Sequence, residues 1–515
     1  MSQPKLITLT ATNGQTIQFI DEIKAQGGMK DVMFSPDKSY VVAFFREKAD
    51  PATRERLEQI TGLYRERIFN QEGGEYLKNL YCWPTAVVEH EGRLGVVVPF
   101  YRSCFFFEHG SRNNDMLNIK GKDKDGKWFA SANNRNKFLD PRELGDWMRH
   151  LKVCIMLARA VRRMHMAGLS HSDLGYKNCL IDPVSGQACL IDIDGLVVPG
   201  KHPPTVVGTP DFIAPEVVAT AHLDKNDPKR KLPSRSTDLH ALAVLIYMYL
   251  LYRHPLRGDK IHDPNDSQRD EELSMGSQAL FVEHPKDASN RIKVAQLKPS
   301  ELPWKDTGKT PYTLCGPYIS RLFERAFIDG LHNPAARPTA DEWEHALVKT
   351  VDLLQPCENP QCEQKWYAFD NTKNPRCPFC GTPHHGKLPV LNLYSQAPGG
   401  SYRPDNHRIM VYSGQSLFKW HADNRVFPNE KLTAQDAKRV GYFVLHNGDW
   451  WLVNENLPEM YDVVGKAAIP PGGKIKLEEG AQILLKKGQG GRLLMVQMAG
   501  GQVFRTCIHY FHRQI

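Results

Sequence analysis

HSDLGYKN at 171–178 and GTPDFIAPE at 208–216, with LIDIDG at 190–195 between them, decide how this 515-residue chain is read. Each is a short run of polar and turn-forming residues between longer apolar segments, which places all three on loops. Upstream, LGDWMRHLKVCIMLARAVRRMHMAG repeats apolar residues at helical spacing; downstream, STDLHALAVLIYMYLLYRHP does so again, and residues 141–352 read as mainly helical. Residues 5–48 differ, with short β-rich runs (LITLTAT, TIQFI, KDVMF, YVVAFF) separated by Asn-Gly, Gly-Gly and Pro-Asp turns. Residues 51–70 read as a helix, and TAVVEHEGRLGVVVPF at 85–100 as a hairpin turning at Glu91-Gly92. The fold class is α+β: a strand-rich lobe over 1–101, then a helical lobe over 102–352 that opens on a polar inserted loop, 102–138.

Asn178 follows Asp173 by five residues, and Asp192 follows Asn178 by fourteen. Carboxylate and amide oxygens suit a hard cation, and a loop carboxylate suits the proton of a hydroxyl. In this order, and followed by GTPDFIAPE, they resemble the catalytic loop, the metal-binding Asp-Phe-Gly element and the end of the activation segment of serine/threonine protein kinases. The resemblance implies a bilobal kinase fold that transfers phosphate from ATP to a protein substrate, with Asp173 as base and Asn178 and Asp192 on Mg2+. Asp194 competes for the metal-binding role, because the sequence reads Asp-Ile-Asp-Gly. The same resemblance pairs Glu216 with Arg337 of NPAARPTADEW and sets Asp238 beneath the catalytic loop as its brace. Two positions depart from the pattern: Ser172 replaces the arginine that reads an activation-loop phosphate, and Gly175 replaces a lysine that Lys177 could supply from a shifted position.

The main departure lies in the first lobe. The strand that should read Val-Ala-x-Lys reads Val42-Ala43-Phe44-Phe45, and phenylalanine cannot hold a phosphate. AQGGMKDV, laid on the glycine-rich loop by anchoring on Val32, puts Gly27, Gly28 and Lys30 beside the nucleotide, with Lys30 at the third glycine. That substitution resembles the with-no-lysine kinases, in which a glycine-loop lysine reaches the phosphates; Arg46 is the fallback cation. Glu66, or Glu58 eight residues earlier, is the helix carboxylate expected to pair with the lysine. Without a substitute cation, the chain would be a pseudokinase that binds nucleotide and partners but transfers nothing.

Four of the 11 cysteines form a set: Cys357 and Cys362, then Cys377 and Cys380. Two such knuckles close one four-thiolate Zn2+ site, which leaves no position for a catalytic water and implies a folding or docking role. The expected zinc ribbon covers 353–385, a Pro/Gly/Ser-rich linker 386–407 and a small all-β sandwich 408–515. The sandwich resembles a forkhead-associated domain, although Lys438-Arg439 is the nearest basic pair to that family's signature. Kinase, ribbon and β domain in this order resemble the kinase of bacterial tellurite-resistance triads. That resemblance implies a metal-dependent phosphatase and a von Willebrand A-type protein as partners. The longest apolar run, Ala241–Tyr252, is 12 residues against the roughly 20 of a bilayer span, and MSQPKLITLT shows no secretory pattern, so a cytoplasmic protein with no membrane partner is expected. A formal charge of +8 over 515 residues, with no basic stripe in the ribbon, argues against nucleic acid as a partner. Small-molecule kinases share the catalytic loop but generally lack GTPDFIAPE.

Overall fold

The computed structural model describes residues 5–26, 29–48, 50–198, 201, 208–224, 226–370 and 375–499. It divides into two compact units. The first takes residues up to Gly145, then Arg149–Tyr312 and Arg321–Glu344; the second takes Asp146–Met148, Thr313–Ser320 and the chain from His345.

The first unit opens on a five-stranded antiparallel sheet, ordered Ala25–Gln26, Lys30–Phe34, Tyr40–Phe45, Arg93–Pro99, Ala86–His90. Strand alternation sorts its residues onto two faces. Val42, Phe44, Val88 and Val97 pack against Ile17 and Phe19 of the hairpin Leu6–Thr10/Thr16–Ile20. Ala43, Phe45 and Val96 take the other face with Leu57, joined by half-buried Val32 and Val98. Glu91 and Gly92 both have positive φ, 51° and 74°, the twist that a tight two-residue hairpin needs. The helical run begins at Pro51, where Asp50 caps Thr53 N–H, and passes through a wider turn at Ile60–Tyr64 before ending at Phe69.

The helix Arg235–Leu251 is the core of the lower lobe. Every residue from Ala241 to Leu251 is buried, which is why its sequence is apolar all round rather than striped. Among the described residues, no helix is long and apolar enough to cross a membrane. The polar inserted segment 102–138 also carries buried residues. It folds as short turns that bury Phe105, Phe107 and Phe129, and Lys124 is buried between Asp182 (2.8 Å) and Glu143 (3.0 Å). The charge of Lys124 is matched by acids outside the segment, a pairing that local composition does not show.

The second unit holds a six-stranded sheet and a four-stranded sheet. The first is ordered Tyr402–Met410, Leu388–Gln396, Arg492–Ala499, Gln482–Leu484, Tyr461–Asp462, Ala467–Ala468. The second runs Ser416–Phe418, Arg439–His446, Asp449–Asn454, Lys474–Lys476. The expected linker, 386–407, is not one: its two long strands form the hairpin Leu388–Gln396/Tyr402–Met410, and Leu388, Val390 and Leu391 are buried. The Gly399-Gly400 pair that reads as linker is the hairpin turn, both residues at positive φ. Nor is the cysteine segment a separate module. Cys362, Tyr367 and Cys377 share one hydrophobic core with Val390, Phe443, Leu452 and Leu494 of the two sheets.

Candidate active site

Asp238, at the start of the buried helix, is 1% exposed and accepts from three donors. These are His171 N–H (2.8 Å) and Ser172 N–H (3.1 Å), with His165 Nε2 at 3.0 Å. A buried carboxylate is stable only when its oxygens are satisfied, and here the satisfaction fixes the loop that carries Asp173. Ser172 takes positive φ (68°) to direct its N–H downward, and His171 Nε2 meets Ile191 O at 2.9 Å, tying this loop to the Asp-Ile-Asp-Gly turn. His165 lies in the last turn of the helix Trp147–Met166 and His171 opens HSDLGYKN, so the brace joins two segments adjacent in sequence.

Asp173 accepts from Thr209 Oγ1 at 2.9 Å, and Asn178 Nδ2 donates to Asp173 O at 2.8 Å. The second bond leaves the Asn178 amide oxygen, purely an acceptor, as the atom suited to a cation. Gly208, at φ 118°, lies where a Cβ would come within 3.8 Å of the Asp173 carboxylate. At Gly175 a Cβ would meet the Phe212 ring at 3.0 Å, so the residue expected as lysine gives its space to the ring. Lys177 is exposed and, among the described residues, makes no hydrogen bond or ion pair. Arg337, 3% exposed, grips Glu216 with both amino groups, at 2.8 and 2.7 Å, and spends its other donors on Gly330, Ser236 and Leu331 carbonyls.

The upper lobe supplies the cation. Lys30 pairs directly across the strands with Phe45, and Val32 with Ala43. The Lys30 ammonium stands 5.1 Å from the Phe45 ring centroid, so the cation occupies the neighbourhood where the missing strand lysine would end. It reaches down to Asp194 (2.6 Å) and Asp192 (3.1 Å). Burial disfavours its charge, but Asp194 and Asp192 outweigh that, and its pKa ends above the ordinary lysine value. Partial desolvation by its surroundings pushes the Asp192 carboxyl up while Lys30 pulls it down, and the pull wins. Asp192 sits at φ 60°, an uncommon conformation for a residue with a side chain and one that collects at functional turns.

Two expected members are not at the site. Glu66 and Glu58 are both exposed on the helical run and, among the described residues, neither pairs with Lys30; its partners come from the aspartate turn instead. Arg46 is taken by Asp31 at 2.9 Å, which Arg93 also holds at 2.6 Å. Gly27 and Gly28 lie outside the described residues.

In the second unit the four cysteine sulfurs lie within 4.8 Å of one another. Cys357 and Cys380 are 3.5 Å apart, and Cys362 and Cys377 are 3.9 Å apart. Thiolates about 2.3 Å from a tetrahedral Zn2+ stand roughly 3.8 Å from each other, so the cluster fits that ion.

Residues 120–342 match the family model of the protein kinase domain. The serine/threonine-protein kinase PknD of Chlamydia abortus is 30% identical over 151 residues, 24% of this chain and 15% of that protein. A dual serine/threonine and tyrosine protein kinase of Apis mellifera is 28% identical over 108 residues, covering 21% and 10%. The probable serine/threonine-protein kinase RTK1 of Saccharomyces cerevisiae is 26% identical over 145 residues, covering 27% and 20%. The chain therefore spans a fifth or less of the length of these curated relatives. A crystal structure of a Toxoplasma gondii specific rhoptry antigen kinase domain aligns at 13% identity and a TM-score of 0.34, covering 55% of this chain and 84% of that one, too loosely to argue from. The chain carries a protein kinase domain with serine/threonine kinase relatives at low identity.

Proposed function

We propose that this chain is an active, Mg2+-ATP-dependent serine/threonine protein kinase whose phosphate-gripping lysine has moved across a hairpin, from position 45 to Lys30. The observation that carries this reading is the Lys30 ammonium, packed over Phe45 and resting on the aspartates of the Asp-Ile-Asp-Gly turn. Mg2+-ATP, when bound, supplies the transferable phosphoryl group and the cation that neutralises its developing charge. Val32 and Ala43 line the sheet face above the cleft, and Lys30 grips phosphate oxygens once drawn from its carboxylates. Asp192 and the Asn178 amide oxygen hold the metal. Asp173, fixed through its loop by Asp238 and oriented by Thr209, takes the substrate hydroxyl proton. The second unit, whose four cysteines would hold a structural Zn2+, serves as a docking module in a bacterial stress or signalling system, and the phosphatase and von Willebrand A-type protein are its candidate partners.

The second reading is a pseudokinase scaffold, favoured by the apolar residue at position 45. Transfer of labelled γ-phosphate from ATP to the chain itself or to a generic protein substrate separates the two. Incorporation that Asp173→Asn abolishes supports the kinase; no incorporation by the wild type in the presence of Mg2+ favours the scaffold.

A further inference from the structure

In the kinase reading, the lysine must be held in place by a carboxylate, and among the described residues none of the helical run's glutamates, Glu55, Glu58 or Glu66, pairs with it. The two carboxylates that do reach it are unlike each other. Asp194 is buried, with 8% of its side chain exposed and an oxygen 2.6 Å from Lys30 Nζ. Asp192 has 52% of its side chain exposed and stands at 3.1 Å. Between them Ile193 is 1% exposed, and beyond them Leu196 is fully buried and Val197 exchanges backbone hydrogen bonds with Ser170 at 2.9 and 3.1 Å. The turn is therefore pinned on both sides of Asp194. Its side chain has a fixed position, whereas Asp192 faces the open cleft.

Mg2+ dehydrates reluctantly and keeps several waters, so it favours a carboxylate that solvent can reach. An ammonium held at one point is served best by a buried carboxylate, which stays fixed and meets little screening. We infer that the Asp-Ile-Asp-Gly turn divides two tasks: Asp192 is the metal ligand, and Asp194 is the positioning residue for Lys30, replacing the helix glutamate. The inference rests on the kinase reading and deepens it. Asp192, if it held Mg2+, would no longer be available to Lys30, and Asp194 would keep the lysine tethered.

The test is equilibrium binding of a fluorescent ATP analogue to the full chain, with and without Mg2+, alongside phosphoryl-transfer kinetics and thermal melting. Asp194→Asn is expected to weaken nucleotide binding tenfold or more under both conditions. It should have no further effect in a Lys30→Ala background, and Asp194→Glu should recover most of the loss. Asp192→Asn is expected to raise the Mg2+ concentration needed for half-maximal rate. The inference is overturned if a folded Asp194→Asn chain binds the analogue as the wild type does, if its effect adds to that of Lys30→Ala, or if its defect is a raised Mg2+ requirement. A wild-type chain that binds no nucleotide removes the kinase reading itself and this inference with it. Wild-type binding with an indifferent Asp194→Asn removes this inference alone.

Discussion

Returning the lysine to its strand is the sharpest perturbation of the upper lobe. Lys30 and Phe45 are register partners on neighbouring antiparallel strands, whose paired Cα atoms lie about 4.5–5.5 Å apart. A lysine at 45 would extend along the path of the present ring, and Lys30 Nζ already stands 5.1 Å from that ring's centre. In the kinase reading, Lys30→Ala would remove a charge-assisted contact to phosphate, a loss of roughly 1.5–3 kcal/mol. At about 1.4 kcal/mol per decade, that is a drop of roughly 10- to 150-fold in kcat/KM. Lys30→Ala/Phe45→Lys should recover most of it, because the ammonium returns near Asp194 while its stem covers the sheet face that Phe45 now covers. The assay is steady-state phosphoryl transfer, with thermal melting to show that each variant is folded. Full activity in Lys30→Ala refutes the reasoning, and so does a well-folded double variant that stays at the Lys30→Ala rate.

Arg337→Ala should leave Glu216 without its bidentate partner and lower stability by about 2–4 kcal/mol, seen as a reduced urea midpoint; an unchanged midpoint would mean the pair only decorates the lobe. One equivalent of Zn2+ per chain should be released when the thiols are titrated with a mercurial in the presence of a chromogenic chelator, and Cys377→Ser should lower both the zinc content and the melting temperature, since this sulfur lies in the shared core. Acid should weaken the second unit through a buried cluster, in which Asp352 meets His407 at 2.7 Å and His421 at 3.1 Å. Burial, with Arg492 and His421 nearby, holds the His407 pKa below its ordinary value despite Asp352, and the histidines keep Asp352 below the usual carboxylate range despite its burial. Both folded values lie below the unfolded ones, so the unfolded chain binds more protons, and stability should fall as pH drops below about 6.5 and again below about 4. Thermal melting between pH 7.5 and 5 checks this, and His407→Gln should flatten the first part of the slope.

The lower lobe was legible because its chemistry is local in sequence: Asp173 and Asn178 sit five residues apart, and GTPDFIAPE carries Thr209 and Glu216 together. Lys30 was legible for a different reason. AQGGMKDV, anchored on Val32, lies along the glycine-rich loop, which puts Lys30 beside the strand that lacks its lysine, and the register pairs it with Phe45. Its anchor was not legible, because Asp194 lies 164 positions away in sequence and the Asp-Ile-Asp-Gly turn gives no hint of which carboxylate is buried. The linker was misread because Gly399-Gly400 and its flanking prolines carry the same composition whether they separate domains or turn a hairpin. Only the partner strand Arg492–Ala499, about a hundred residues on, decides between the two.

A crystal structure of the chain with Mg2+ and a non-hydrolysable ATP analogue tests the relocated lysine most directly. The account predicts Lys30 Nζ within about 3 Å of a phosphate oxygen, with Asp194 still in contact with it and the metal on Asp192 and the Asn178 oxygen. A nucleotide excluded by Phe45, or one bound with Lys30 turned away from its phosphates, would contradict it.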